Sequence, residues 1–233
     1  MSTIERGVLI SFEGNEGSGK STQMKLLAAR LRAENFQVVE NTEPGGTAIG
    51  QQIRRILLDP SSGEIAPMAE LLLMFASRVQ AATTVVLPAL KSGAIVLTDR
   101  FTDSSLVYQG SARGLGFEKI RELHRLALGD LMPELTLCIE IDLETSLERA
   151  RSRNSGRDSG GNETRFDEQS LAFHRQVREG YHRIAREEPG RFRIVDGSGT
   201  PGQVSRRVWD LVRPIMLPGT NLPLTPDVPS LNR

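Results

Sequence analysis

Apolar residues in this chain follow two rhythms. Five short, nearly continuous apolar runs lie at 8–12, 36–40, 94–98, 135–141 and 192–195, the length and character of buried strands. Between them the apolar positions recur at helical spacing. Met24, Leu27 and Leu31 share one face of a helix predicted over 22–32, and 67–90 is helical and strongly apolar through Leu71, Leu72, Met74 and Phe75. Pro88 kinks or interrupts that stretch, since proline lacks the N–H a helix interior needs, and Gly93 ends it before the next strand. Strands alternating with helices predict an α/β fold: a five-stranded parallel sheet flanked by helices. Two segments break the rhythm. Residues 152–165 are polar and rich in Gly, Asn, Ser and Arg, which predicts a mobile loop, and 214–233 carries five prolines without periodicity, which predicts an extended or disordered tail. One domain over 1–213 is expected, with a lid at about 150–167.

The chemistry starts at Gly14-Asn15-Glu16-Gly17-Ser18-Gly19-Lys20-Ser21, which fits the phosphate-binding pattern G-x-x-x-x-G-K-[ST] between a strand and a helix. Successive backbone N–H groups and the helix N-terminus there attract anions. The loop and Thr22 are the expected ATP-binding segment, with Lys20 reaching the β- and γ-phosphates and the Ser21 hydroxyl facing Mg²⁺. Asp99 and Arg100 follow the strand at 94–98. Strand C-terminal ends carry the ligands in parallel sheets. Asp99 there suits Mg²⁺ through water, and Arg100 suits a bidentate grip on a phosphoryl group. The turn Glu43-Pro44-Gly45-Gly46-Thr47 opens a helix at the end of another strand. These residues indicate a nucleoside triphosphate and leave its phosphoryl acceptor open.

Charge and composition narrow the partners. With 29 Lys+Arg against 29 Asp+Glu the formal net charge is zero, and aromatics make up 5%. This argues against a general nucleic-acid binder. Cys138 is the single cysteine and sits in an apolar run, so core packing is its expected role. No signal-peptide pattern and no run of membrane-span length is apparent, and a soluble cytoplasmic protein is expected. Arg149, Arg151, Arg153, Arg157 and Arg165 lie in or beside the polar loop, where arginines on a lid would close over ATP and neutralise the transferred phosphoryl group.

Taken in order, several segments resemble the bacterial thymidylate kinases of the P-loop nucleoside monophosphate kinases. They are Phe12 to Ser21, Glu43-Pro44-Gly45-Gly46-Thr47, Ala76-Ser77-Arg78-Val79-Gln80, Thr98 to Gly110 (ending in Tyr108-Gln109-Gly110), Pro133-Glu134-Leu135-Thr136-Leu137, Arg149-Ala150-Arg151 and Arg165-Phe166. The resemblance implies a P-loop NTPase fold, ATP and dTMP as substrates, Mg²⁺ as cofactor, and a homodimer to which 67–90 contributes. It also implies roles residue by residue. Glu16 orients the acceptor nucleotide and Arg78 hydrogen-bonds the thymine edge. Ser104, Ser105, Tyr108 and Gln109 line the sugar and base pocket, joined on the dTMP side by Glu43, Pro44, Arg54, Met74, Phe75 and Arg100. With Gly17 following Glu16, the lid supplies the catalytic arginine: Arg151 and Arg153 first, Arg165 next. The chain departs from the family where Thr42 replaces a usual arginine and Met74 a usual phenylalanine. Read without the resemblance, the residues also allow a kinase for another nucleoside monophosphate such as dUMP, or a non-catalytic nucleotide-binding module.

Overall fold

The computed structural model describes residues 7–155 and 165–216. Five parallel strands form one sheet in the order β2-β3-β1-β4-β5: β1 (Val8–Glu13), β2 (Val38–Thr42), β3 (Ile95–Asp99), β4 (Leu135–Glu140) and β5 (Phe192–Asp196). The predicted architecture is present. β2 begins two residues later than its apolar run because the Phe36 N–H closes the preceding helix on the Leu31 carbonyl, around Asn35 at φ 66°. In register, Phe12 and Thr42 both lie beside Asp99, so the ends of three strands converge on one edge of the sheet.

Helices cover both faces. Against one pack α1 (Lys20–Ala33) and α9 (Pro201–Val212), through Leu27, Leu31, Val204 and Val208. Against the other lie α2 (Ala48–Leu58), α3 (Pro67–Ala81), α4 (Leu87–Lys91), α5 (Thr102–Ser105), α6 (Phe117–Leu128) and α8 (Leu171–Glu187), around a core including Leu71, Phe75, Val107, Phe117, Val177 and Tyr181. The remaining helix, α7 (Leu143–Ser155), leaves β4 at the strand ends.

Pro88 does not break the long helix. A wider π-turn over Ala82–Val86 precedes it, closed by the Leu87 N–H on the Ala82 carbonyl, and α4 resumes with Pro88 in its first turn. An α-helical ladder would need an N–H at Pro88; the π-turn reorganises the bonds just upstream. The resulting Pro67–Lys91 run spans 25 residues and contains an 18-residue window of mean hydropathy 1.5, long and apolar enough to cross a membrane by length and composition only. This corrects the sequence expectation that no run approaches that length. Glu70 and Arg78 are buried within it against the rest of the protein, as in a core helix. A second π segment, Leu106–Ala112, extends α5.

Two further boundaries move. Residues 152–155 continue α7 instead of opening the polar loop, in keeping with the helix propensity of its arginines. The tail expected from Pro214 does not begin there, since Arg213–Met216 form a 3₁₀ turn that buries Met216 in the core. Residues 156–164, which include Arg157 and half of the expected lid, and 217–233 lie outside the described residues.

The helix that extends α5 is held by close approach to α8 at Gly180, where an added Cβ would lie 2.8 Å from Val107 Cγ1 and 3.0 Å from its Cβ. In open space Gly→Ala in a helix gains up to about 1 kcal/mol. Here overpacking against a buried β-branched side chain costs about 1–3 kcal/mol. Gly180→Ala should therefore lower the urea midpoint, and a raised midpoint would refute the close contact.

Candidate active site

The loop after β1 curls over its own lysine. Lys20 Nζ donates to the carbonyls of Gly14 (3.0 Å) and Asn15 (2.8 Å), and burial pushes its pKa down. α7 packs directly on the loop: a Cβ on Gly17, at φ 74°, would stand 2.1 Å from the Ser146 carbonyl oxygen. Ser146 Oγ in turn donates to the Glu16 carbonyl at 2.5 Å. Asn15 Nδ2 reaches the His174 carbonyl on α8 at 3.2 Å. Beside the loop, Ser21 Oγ donates to Asp99 Oδ2 at 2.6 Å. Among the described residues no group of three or more His, Cys, Asp or Glu side chains is arranged to hold a metal. One hydroxyl and one carboxylate fit a hard cation that takes its other ligands from phosphates and water.

Arg100 occupies the turn after β3 with φ 75°, a backbone region unfavourable for a side chain of its size. Its N–H is fixed on the Phe12 carbonyl at 2.9 Å. Its guanidinium spreads over Ser104 Oγ (2.9 Å), Tyr108 Oη (3.2 Å), Tyr181 Oη (3.3 Å) and the Glu16 carboxylate. Beneath it lies Glu13, fully buried, which accepts from the Phe101 N–H and the Tyr181 hydroxyl, each at 2.8 Å, and from Ser104. Burial pushes the Glu13 carboxyl pKa up, with Arg100 opposing.

Further along, Arg78 from α3 is 1% exposed; its Nε donates to the Glu43 carboxylate and its Nη1 to Ser105 Oγ at 3.0 Å. Arg54 Nη1 holds the Pro44 carbonyl at 2.9 Å. One cleft of about 570 Å³ joins these parts. Its wall includes Glu16, Gly17, Gly19, Lys20, Ser21 and Thr22 from the loop region, then Asp99 and Arg100, and on the far side Glu43, Pro44, Arg54, Met74, Arg78, Ser104, Ser105, Tyr108 and Gln109.

Most of the sequence-predicted residues are thus brought together, with these exceptions. Gly14, Asn15 and Ser18 belong to the loop but border a small void toward Cys138 and Ile139. Phe75 does not line the cleft: it is buried in the core with the Arg78 guanidinium 4.9 Å from its ring, because one helical residue is a rotation of about 100° from Met74. Arg165 is also turned away, with Nη2 on Glu70 at 2.8 Å and Nη1 on the Leu57 carbonyl at 3.1 Å. On α7, Arg149 lines the cleft while Arg151 lies outside its wall; the Arg153 side chain lies outside the described part.

Residues 12–208 match the sequence model of the family described as Thymidylate kinase. The chain belongs to the thymidylate kinase family. Among curated thymidylate kinases it is 49% identical over 200 residues to that of Syntrophotalea carbinolica, spanning 86% of this chain and 92% of that protein. It is 50% identical over 202 residues to that of Pelobacter propionicus, spanning 87% and 92%. The crystal structure of thymidylate kinase from Ehrlichia chaffeensis superposes with a TM-score of 0.70 at 29% identity, over 89% of this chain and 98% of that one. The sheet and helices are those of this family's P-loop NTPase fold.

In this thymidylate kinase family site, Glu13, Tyr181 and Asp167 are among the residues that escaped the candidate set drawn from sequence. Glu13 carries a usable signal, an acid closing an otherwise apolar strand. Tyr181 carries none, because its position on α8 resembles any core aromatic. Asp167, beside Phe166 in the cleft wall, follows the polar loop and has no motif of its own.

Glu43 supplies a pH test. Burial outweighs the opposing Arg78 charge and pushes its carboxyl up to about 7 from an ordinary 4.5, while its Oε1 has no hydrogen-bond partner. The native state then binds the extra proton between these values. The associated stability is fully present below about pH 4.5 and is lost as pH rises through about 7. The wild-type urea midpoint should fall across that window relative to Glu43→Gln, which keeps an acceptor for Arg78. Parallel pH curves for the two proteins would refute the buried proton.

Proposed function

We propose that this chain transfers the γ-phosphoryl group of ATP to dTMP, giving dTDP and ADP. One observation carries the reading: a single cleft runs from Lys20 and Ser21 to Arg78 and Gln109, with Arg100 between them. Donor and acceptor phosphates meeting at Arg100 would be aligned by the chain, and positioning supplies much of phosphoryl-transfer catalysis. The loop amides, the N-terminus of α1 and Lys20 take the donor phosphates. Arg100, braced by Glu16 and Glu13, takes the acceptor phosphate, with Arg54 nearby. No general base is required, because a phosphate monoester is largely ionised at neutral pH. Ser21 and, through water, Asp99 would hold Mg²⁺, which would supply positive charge against the donor phosphates.

On the acceptor side, Arg78 and Gln109 read the base, with Met74 packing on it through its polarizable thioether. Tyr108 lies under the sugar, and Ser104, Ser105, Glu43 and Pro44 complete the wall. Arg149, already on the cleft, joins Arg151 and Arg153 as a source of the lid's positive charge. The ion pair of Arg165 with Glu70 supports an anchoring role for that residue instead. Exposed Ile49, Ile56, Met68 and Leu72 on α2 and α3 support a homodimer through these helices. The neutral chain supports small nucleotides as its partners, without nucleic acid or membrane, and a cytoplasmic setting.

The test is ADP release with ATP and Mg²⁺ over dTMP, dUMP, UMP, dCMP, dGMP and AMP. Highest turnover with dTMP, abolished by chelation of Mg²⁺, is expected. ATP binding without transfer to any acceptor would overturn the reading in favour of a non-catalytic module. Lys20→Ala should reduce kcat by about 10²–10³-fold, the scale for one lost charge-stabilising donor, with a far smaller change in thermal stability. Collapse of the fold on a matching scale would show that Lys20 is structural.

A further inference from the structure

Glu70, Met74 and Arg78 stand at successive four-residue steps on α3 and therefore share one helix face. Met74 and Arg78 line the cleft, whereas Glu70 lies behind its wall and is fully buried. Its carboxylate gathers donors from two distant segments: Gln109 Nε2 at 2.9 Å, Arg113 Nη2 at 3.3 Å and Arg165 Nη2 at 2.8 Å. A carboxylate accepts hydrogen bonds and does not donate them. Only the amide nitrogen of Gln109 therefore suits Glu70, and the amide carbonyl is turned to the other side, on a residue that lines the cleft.

We propose that Glu70 is a specificity-determining positioning residue: it locks the Gln109 amide so that the cleft offers a carbonyl acceptor beside the Arg78 donor. This rests on the proposed dTMP reaction. A thymine or uracil edge carries a ring N–H donor next to a carbonyl acceptor and matches that pair. A cytosine edge carries a ring nitrogen acceptor next to an amino donor and is reversed at both positions. A Gln109 free to turn would accept either ring nitrogen, since an amide offers both kinds of group, and would leave Arg78 alone to discriminate. The buried carboxylate removes that freedom, and two arginines hold it in place.

The test is the ratio of dissociation constants for dTMP and dCMP, measured by calorimetry on the full chain. Wild type should favour dTMP. Glu70→Gln, whose amide can turn either face to Gln109, should reduce the preference by about tenfold or more, the scale of one mismatched buried hydrogen bond. Glu70→Asp keeps the charge for both arginines but withdraws it from Gln109, and should move the ratio in the same direction even where Glu70→Gln fails to fold. In a Gln109→Met background the Glu70 substitutions should leave the ratio unmoved. An unchanged preference in the Glu70 variants that fold, or a drop as large in the Gln109→Met background, overturns the role of Glu70 alone. A wild-type protein without preference for dTMP overturns the assigned acceptor first, and this role with it.

Discussion

The site depends on the buried pairing of Glu13 with Arg100 across the ends of β1 and β3. A carboxylate without water is costly unless it is charged against a partner and hydrogen-bonded. Glu13 is surrounded by an N–H, three hydroxyls and a guanidinium 3.9 Å away. That arrangement holds the Arg100 backbone at a positive φ and spreads its side chain toward Glu16 and Tyr108. Parallel register supplies the rest: with Phe12 and Thr42 both level with Asp99, the loop after β1, the turn after β2 and the turn after β3 open on one edge. The phosphate loop and the acceptor wall are neighbours because three strands end together.

The same device recurs. Glu43 faces Arg78, and Glu70 faces Arg113 and Arg165. Each pair joins segments remote in sequence, and each carboxylate is buried. Removing one partner from such a pair leaves an uncompensated charge, at a cost of about 3–5 kcal/mol. These pairs therefore act less as added stability than as a demand for one arrangement, which a phosphoryl-transfer site needs because small displacements cost rate. A chain with zero net charge still concentrates charge sharply around its cleft.

Backbone irregularity lies close to the same surface. The π-turn at Ala82–Val86 follows the face of α3 that carries Met74 and Arg78, and the one at Leu106–Ala112 carries Tyr108 and Gln109 themselves. A widened turn changes the angular phase of the side chains within and after it, so Tyr108 and Gln109 depart from regular helical spacing, while Met74 and Arg78, which precede the turn at Ala82–Val86, keep theirs. Gly17 shows the complementary constraint. α7 lies so close to the loop that no side chain fits there, and positive charge from that side must come from the helix, where Arg149 meets the cleft.

Much of this was legible in the chain. Apolar periodicity specified five strands, their alternation with helices, and the sheet class, because local burial patterns are written residue by residue. The phosphate loop, Asp99 and Arg100 were legible because loop and strand-end motifs occupy contiguous positions, whereas Arg78, on a helix, was singled out only through the family resemblance. Contacts across the fold were not. That Glu13 and Tyr181 brace Arg100, that Met74 faces the cleft while Phe75 faces the core, and that Arg165 turns to Glu70 follow from helix phase and from which distant groups reach each buried charge. Sequence determined which residues were available to carry charge. Tertiary structure decided their pairing, since a buried charge takes its partner from three-dimensional proximity, whatever the distance along the chain.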